Sequence, residues 1–218
     1  MYFLWEGRRS HPNPELWKTT DRHHAMPQQI SLDGFEVPVA VKPTDRLFFA
    51  IFPDADAAAR IAQLAQRLRE ALGLKGKPLA THRFHITLYH IGDFTGLRQD
   101  VVAKATEAAS SIAAPPFEVA FDRALSFSGR PSNRPLVLRG GDDLAALTAF
   151  QRSLSTALAT VGLAVKSTFT PHVTLLYEDR LVAEQAIEPI HWIAREFVLV
   201  HSLLGQTKHV PLARWPLR

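Results

Sequence analysis

The chain contains no cysteine among its 218 residues, which excludes disulfides, thiolate nucleophiles and cysteine-containing zinc sites together. No apolar run approaches the roughly 18 residues of a membrane span. The stretch Met1–Gly7 has only a brief apolar patch, interrupted by Glu6, and no cleavable hydrophobic region. A cytoplasmic protein with no membrane partner is therefore expected. The Gly-x-Ser-x-Gly turn of a hydrolase triad is missing, as are a Walker loop, Gly-x-Gly-x-x-Gly and His-Glu-x-x-His. Acids are missing locally: between Arg123 and Gly141 stand Arg123, Arg130, Arg134 and Arg139 with no Asp or Glu. With a net charge of +4 and a pI near 9.6, this distribution points to a polyanionic partner.

One short phrase is written twice, as Phe84-His85-Ile86-Thr87-Leu88-Tyr89 and as Pro171-His172-Val173-Thr174-Leu175-Leu176-Tyr177. Each copy of His-x-Thr-Leu alternates polar with apolar and is rich in β-branched residues, so each reads as a strand. Successive side chains on a strand point to opposite faces. His85 and Thr87 then share one face, as do His172 and Thr174, while Ile86, Leu88, Val173 and Leu175 face the core. Two residues along a strand span roughly 6.6 Å, a spacing that sets an imidazole and a hydroxyl around one small anionic group. Lys75, Lys77, His82 and Arg83 lead into the first copy.

The surroundings of the phrase repeat as well. Arg46–Phe52 reads as a strand, Asp54 as a helix cap, and Ala57, Ile61, Leu64, Ala65, Leu68 and Leu72 as a helical stripe that Gly73 ends. Later, Leu136-Val137-Leu138 is a strand, Asp142 can cap, Leu144, Leu147, Phe150, Leu154, Leu158 and Val161 form the stripe, and Gly162 ends it. The motif histidines lie 87 positions apart, the capping aspartates 88 and the glycines 89. Three landmarks at nearly one offset indicate a duplicated strand, helix, strand unit. Two similar lobes would bring the two motifs face to face across a pseudo-twofold axis. Between the units, a helix is expected over 97–112 and a strand over 117–127. After them come a short helix from Leu181, a strand over 196–204 and an edge strand over 209–216, marked by Pro211 and Pro216. Residues 1–45, with five prolines, read as an extension, with an edge strand conceivable over 30–41. Residues 46–218 form the domain. His191, His201 and His209 share no motif and read as structural or surface residues.

Two histidines and two hydroxyls can cleave a phosphate ester without metal or thiol. A neutral imidazole deprotonates the nucleophile, an imidazolium protonates the leaving oxygen, and the hydroxyls bind non-bridging oxygens. A cyclic phosphate, whose leaving group is tethered, is a natural substrate. The paired motifs, Arg46-Leu47-Phe48-Phe49-Ala50-Ile51, Phe169-Thr170 before the second motif, and the ending Leu212-Ala213-Arg214-Trp215-Pro216-Leu217 resemble the two-histidine (2H) phosphoesterase superfamily. Within it the chain is most similar to the branch of 2'-5' RNA ligases and RNA 2',3'-cyclic phosphodiesterases.

This resemblance, over residues 46–218, implies an α+β, bilobal, duplicated fold with two antiparallel-rich sheets facing a central cleft and helices outside. It implies hydrolysis of 2',3'-cyclic phosphate ends of RNA or nucleotides without cofactor or metal, with reversible 2'-5' joining of RNA ends as a second reaction. Carried over by motif, His85 and His172 are the catalytic pair and Thr87 and Thr174 the phosphate binders. Two departures stand out: Tyr177 occupies the place of an arginine after the second motif, and His90-Ile91-Gly92 the place of a Phe-Leu-Gly phrase after the first. The phosphate-binding cation is then expected from Arg130 or Lys166, and base stacking from Phe127, Tyr177 or Phe49, the last more readily a core residue. A monomer acting on RNA ends or small cyclic-phosphate nucleotides is expected. The alternatives are a phosphodiesterase for a nucleotide metabolite or a 2'-5' oligonucleotide, and a non-catalytic module that grips RNA ends.

Overall fold

The computed structural model of the chain describes residues 41–130, 133–141, 144–163 and 168–218. The edge strand expected from Ile30, the capping Asp142 and the candidate Lys166 lie outside the described residues. In chain order the elements are β1 (Asp45–Ile51), α1 (Ala55–Ala71), β2 (Ile86–Phe94), α2 (Gln99–Ser110), β3 (Phe117–Ser126) and β4 (Arg134–Arg139). They continue as α3 (Ala145–Thr160), β5 (Val173–Glu178), β6 (Gln185–Ala194), β7 (Glu196–Leu203) and β8 (Lys208–Pro216). The strands form two four-stranded sheets in the orders β2-β1-β7-β8 and β5-β4-β3-β6, and every pairing is antiparallel. Position by position the two orders follow one plan, in which β1, α1 and β2 correspond to β4, α3 and β5. Each motif strand thus takes an edge place in its own sheet.

Local chemistry explains the helices. Asp54 accepts the Ala57 N–H at 2.8 Å, satisfying one of the orphan donors at the start of α1. Ala57, Ile61, Leu64, Ala65 and Leu68 are buried along one face. Gly73 and Gly162 follow their helices at φ +60° and +77°, a left-handed backbone that a side chain would strain. One continuous core draws Leu47, Phe49 and Ile51 of β1, Ile86 and Leu88 of β2, Leu136 and Leu138 of β4, and Val173 and Leu175 of β5 together with the helix stripes.

Residues after Leu181 form no helix. Gln185–Ala194 is instead the ten-residue strand β6, in which Ile190, Trp192 and Ala194 are buried while His191 and Ile193 are exposed. Pro189 lacks the N–H that a helix interior requires, and the edge of a sheet tolerates it. The fold also begins one residue before Arg46. The Asp45 carboxylate is buried, where it meets His201 Nε2 at 2.5 Å and accepts the Gly96 N–H at 2.9 Å. His201 is accordingly a structural residue, tying the start of β1 to β7.

Candidate active site

Each motif histidine stands immediately before its strand and is oriented by the same contact. His85 Nδ1 donates to the Arg83 carbonyl at 2.7 Å, and His172 Nδ1 donates to the Thr170 carbonyl at 2.7 Å. An Nδ1–H committed to a carbonyl fixes the tautomer, so in both rings Nε2 is the nitrogen free to exchange a proton with a ligand. The core-facing residues behave as alternation requires: Ile86 and Val173 are fully buried, and His85, Thr87, His172 and Thr174 line one cavity of about 550 Å³.

A second repeated device follows each motif. In the pairing of β1 with β2 the register passes from Phe49↔Tyr89 to Ala50↔Thr87, skipping Leu88. In the pairing of β4 with β5 it passes from Leu136↔Leu176 to Val137↔Thr174, skipping Leu175. These are β-bulges at equivalent places, and a bulge shifts which face later residues occupy. Leu88 and Tyr89 are both buried, as are Leu175 and Leu176. The next residues, His90 and Tyr177, turn back to the cavity.

The other candidates divide. Tyr177 lines the cavity, and the Phe127 ring meets His172 edge-on at 4.9 Å. Phe49 is fully buried and packs on Phe197 and Trp215, so it cannot stack on a base. Its neighbour Phe48 points the other way, lines the cavity and sits 5.1 Å from the His85 ring. Arg130 is exposed and outside the cavity lining. Of the acid-free run around it, Arg123 pairs with Asp122 at 3.0 Å and Glu184 at 3.3 Å, and Arg134 bonds the Asp179 carbonyl. The arginines that line the cavity are Arg46 and Arg83.

His209, which in the sequence reads as structural or surface, also lines the cavity, with its ring 5.5 Å from His85 and 5.6 Å from Phe48. No local signal marks it; the pairing of β7 with β8 brings it there. Among the described residues no group of three or more His, Cys, Asp or Glu is arranged to hold a metal ion.

Burial pushes the His85 imidazolium down to about 4, with further lowering from His209, His172 and Arg83 against a raising contribution from the Arg83 carbonyl. His172 is lowered by burial first, then by Arg139. Both rings are therefore neutral in the free protein at pH 7. Because the unfolded chain takes up the His85 proton near pH 6.5 and the folded chain only near 4, stability is complete above that range and lost as pH falls through it. The expected loss by pH 4 is about 3 kcal/mol. Urea midpoints of the parent and of His85→Gln at pH 7 and pH 4 check this: the variant should lose markedly less on acidification, and equal losses would contradict it.

The comparisons with known proteins agree with this geometry. The family model of the 2'-5' RNA ligase superfamily matches residues 52–205. The chain belongs to that superfamily. Its fold matches the crystal structure of E. coli LigT in apo form with a TM-score of 0.61 at 27% identity, covering 81% of this chain and 99% of LigT. LigT complexed with 3'-AMP matches with a TM-score of 0.61 at 26% identity over 80% and 98% of the two chains. TT0787 of Thermus thermophilus, at 21% identity, a TM-score of 0.58 and coverage of 79% and 98%, shares the fold. No curated protein matches the chain. Membership makes this protein a member of the 2H phosphoesterase and 2'-5' RNA ligase group.

Proposed function

We propose that this superfamily member hydrolyses 2',3'-cyclic phosphate ends of RNA or nucleotides without a metal, with 2'-5' joining of RNA ends as the reverse-type reaction. The observation that carries this reading is the pair of equivalently tethered imidazoles, each presenting Nε2 and accompanied by a threonine hydroxyl, on one cavity. In hydrolysis one neutral Nε2 takes a proton from water as its oxygen bonds to phosphorus. The bond from phosphorus to one ribose oxygen breaks, and the other imidazolium gives that oxygen a proton. Thr87 and Thr174 donate to non-bridging oxygens as charge gathers there. Ligation replaces the water by a ribose hydroxyl. The complex of LigT with 3'-AMP supports a nucleotide carrying a phosphate on its ribose as the ligand class.

The direct test is incubation with a 2',3'-cyclic nucleotide and a short RNA ending in a cyclic phosphate, both with EDTA. Turnover of either substrate is expected, and the position of the phosphate in the product tells which oxygen left. Turnover that appears only on adding a divalent metal would overturn the mechanism.

The pH dependence carries a sign. Values of kcat/KM report the free protein, where both histidines titrate below the usual value of 6.5, so the bell-shaped profile is expected to peak below pH 6.5. A bound phosphate anion favours the protonated rings and raises both values. The kcat profile should therefore lie to the alkaline side of the kcat/KM profile, and coincident profiles would contradict it.

A further inference from the structure

We infer that Arg83 and His209 form a second anion subsite beside the paired motifs, which takes the phosphodiester one step upstream of the reacting end of an RNA strand. The inference rests on the phosphoesterase reading of the same cavity and adds to it a preference for a strand over a mononucleotide.

Two arginines line the motif cavity, and only one is committed among the described residues. Arg46 makes a two-pronged contact with Asp93, Nε to Oδ1 and Nη2 to Oδ2, both at 2.7 Å, and His90 Nε2 meets the same carboxylate at 2.9 Å. That side of the cavity is close to neutral. Arg83 has no carboxylate within ion-pair distance among the described residues, and its buried Nε has no hydrogen-bond partner there. A buried donor left open is costly unless something fills it. The His209 ring stands 5.5 Å from that of His85, and both imidazoles are held below the usual histidine range, by burial first and then by neighbouring positive charge that includes the Arg83 guanidinium. Such crowding is relieved by an anion. The two motifs already supply two imidazoles and two hydroxyls for one phosphate, so Arg83 and His209 remain for another.

The position of His209 indicates which phosphate. It lines the motif cavity and also a neighbouring groove of about 690 Å³, a volume within the range of small-ligand sites. The groove is walled by Phe52, Thr81, His82, Arg195 and Arg214. Its acids are occupied, since Asp54 caps α1 and Glu196 pairs with Arg214. Phe52 is half-buried, with its ring 6.0 Å from that of His85, and offers a face on which a base can stack. A chain that leaves its cyclic end between the motifs and passes over His209 places its next phosphodiester against Arg83 and His209, and its next base in the groove. A terminal phosphate would leave the groove unused.

The test compares three ligands by calorimetry: a ribodinucleotide 3'-phosphate, the same molecule with a neutral methylphosphonate linkage, and a nucleoside 3',5'-bisphosphate. In the parent the charged dinucleotide is expected to bind at least 10-fold tighter than the neutral one, the scale of a charge-assisted hydrogen bond. In Arg83→Gln and in His209→Gln that ratio should fall to about 2-fold or less. Equal binding of the two linkages by the parent, or a ratio unchanged in both variants, overturns the subsite. A bisphosphate that binds as tightly as the charged dinucleotide overturns the assignment to an upstream linkage. Turnover of a dinucleotide ending in a cyclic phosphate, measured alongside, separates the two readings. No turnover with the linkage preference intact removes the enzyme and keeps the subsite; turnover without the preference does the reverse.

Discussion

His85→Ala and His172→Ala are each expected to lower kcat toward a 2',3'-cyclic phosphate by about 10²–10⁴-fold, the contribution of a positioned acid or base. Each ring is held by a single carbonyl two residues earlier, an arrangement that the two motifs share. Of the two other imidazoles that line the cavity, His209 stands in β8 beside His85 and His90 Nε2 meets Asp93 at 2.9 Å, and neither is the histidine of a His-x-Thr motif. The two histidines act on one proton-transfer sequence, so the double variant should be little worse than the poorer single one. His→Gln at either position should be as damaging as Ala, because an amide fills the space and cannot carry the proton. Product formation in single-turnover and steady-state assays checks this. If both variants retain parental kcat, the assignment of the motifs as acid and base is wrong.

The second large effect is expected on stability, from Glu178 at the end of β5. This carboxylate is 3% exposed and accepts the backbone N–H groups of Lys75 at 2.6 Å, Gly76 at 3.0 Å and Asp179 at 2.8 Å. Lys75 and Gly76 belong to the loop between α1 and β2, so the contact straps one motif unit to the other. Nearby, Leu79 N–H donates to the Leu175 carbonyl at 2.8 Å and Arg180 donates to the Leu72 carbonyl at 3.1 Å. The loop lies so close to β5 that a Cβ on Gly76 would stand 2.1 Å from the Tyr177 carbonyl oxygen. Backbone cannot yield there as a side chain would. Glu178→Ala is expected to cost about 2–4 kcal/mol, since it strands buried donors, and Gly76→Ala to cost a comparable amount through displacement of the loop. Urea unfolding measures both. Because this loop runs on to Arg83 and His85, the variants should also lose turnover at temperatures where they remain folded. Midpoints within about 0.5 kcal/mol of the parent, the scatter of an ordinary surface change, would show that the strap does not hold the two units.

The strand, helix, strand duplication is legible in the residue pattern, because that pattern is local. A cap at Asp54, stripes at helical spacing and glycines at positive φ specify each helix with no knowledge of its neighbours. The side-chain alternation of His-x-Thr-Leu likewise determines that each histidine and threonine face away from the core. Where a segment is apolar on both faces, alternation carries no information. Arg46–Phe52 is such a segment, and only packing against the helices on one side and the cavity on the other sends Phe49 inward and Phe48 to the site. The bulges at Leu88 and Leu175 were similarly hidden, since a skipped residue is a property of a pair of strands; they decide that His90 and Tyr177 face the cavity. The strand at 185–194 does not show in local composition: Leu181, Ala183, Glu184, Gln185 and Ala186 are good helix formers, and Pro189 is accommodated because the strand takes an edge place in its sheet. His209, Arg83 and Glu178 acquire their surroundings from residues tens to more than a hundred positions away. Tertiary structure alone decided these, because long-range strand pairing and the docking of two units create neighbours that no local periodicity encodes.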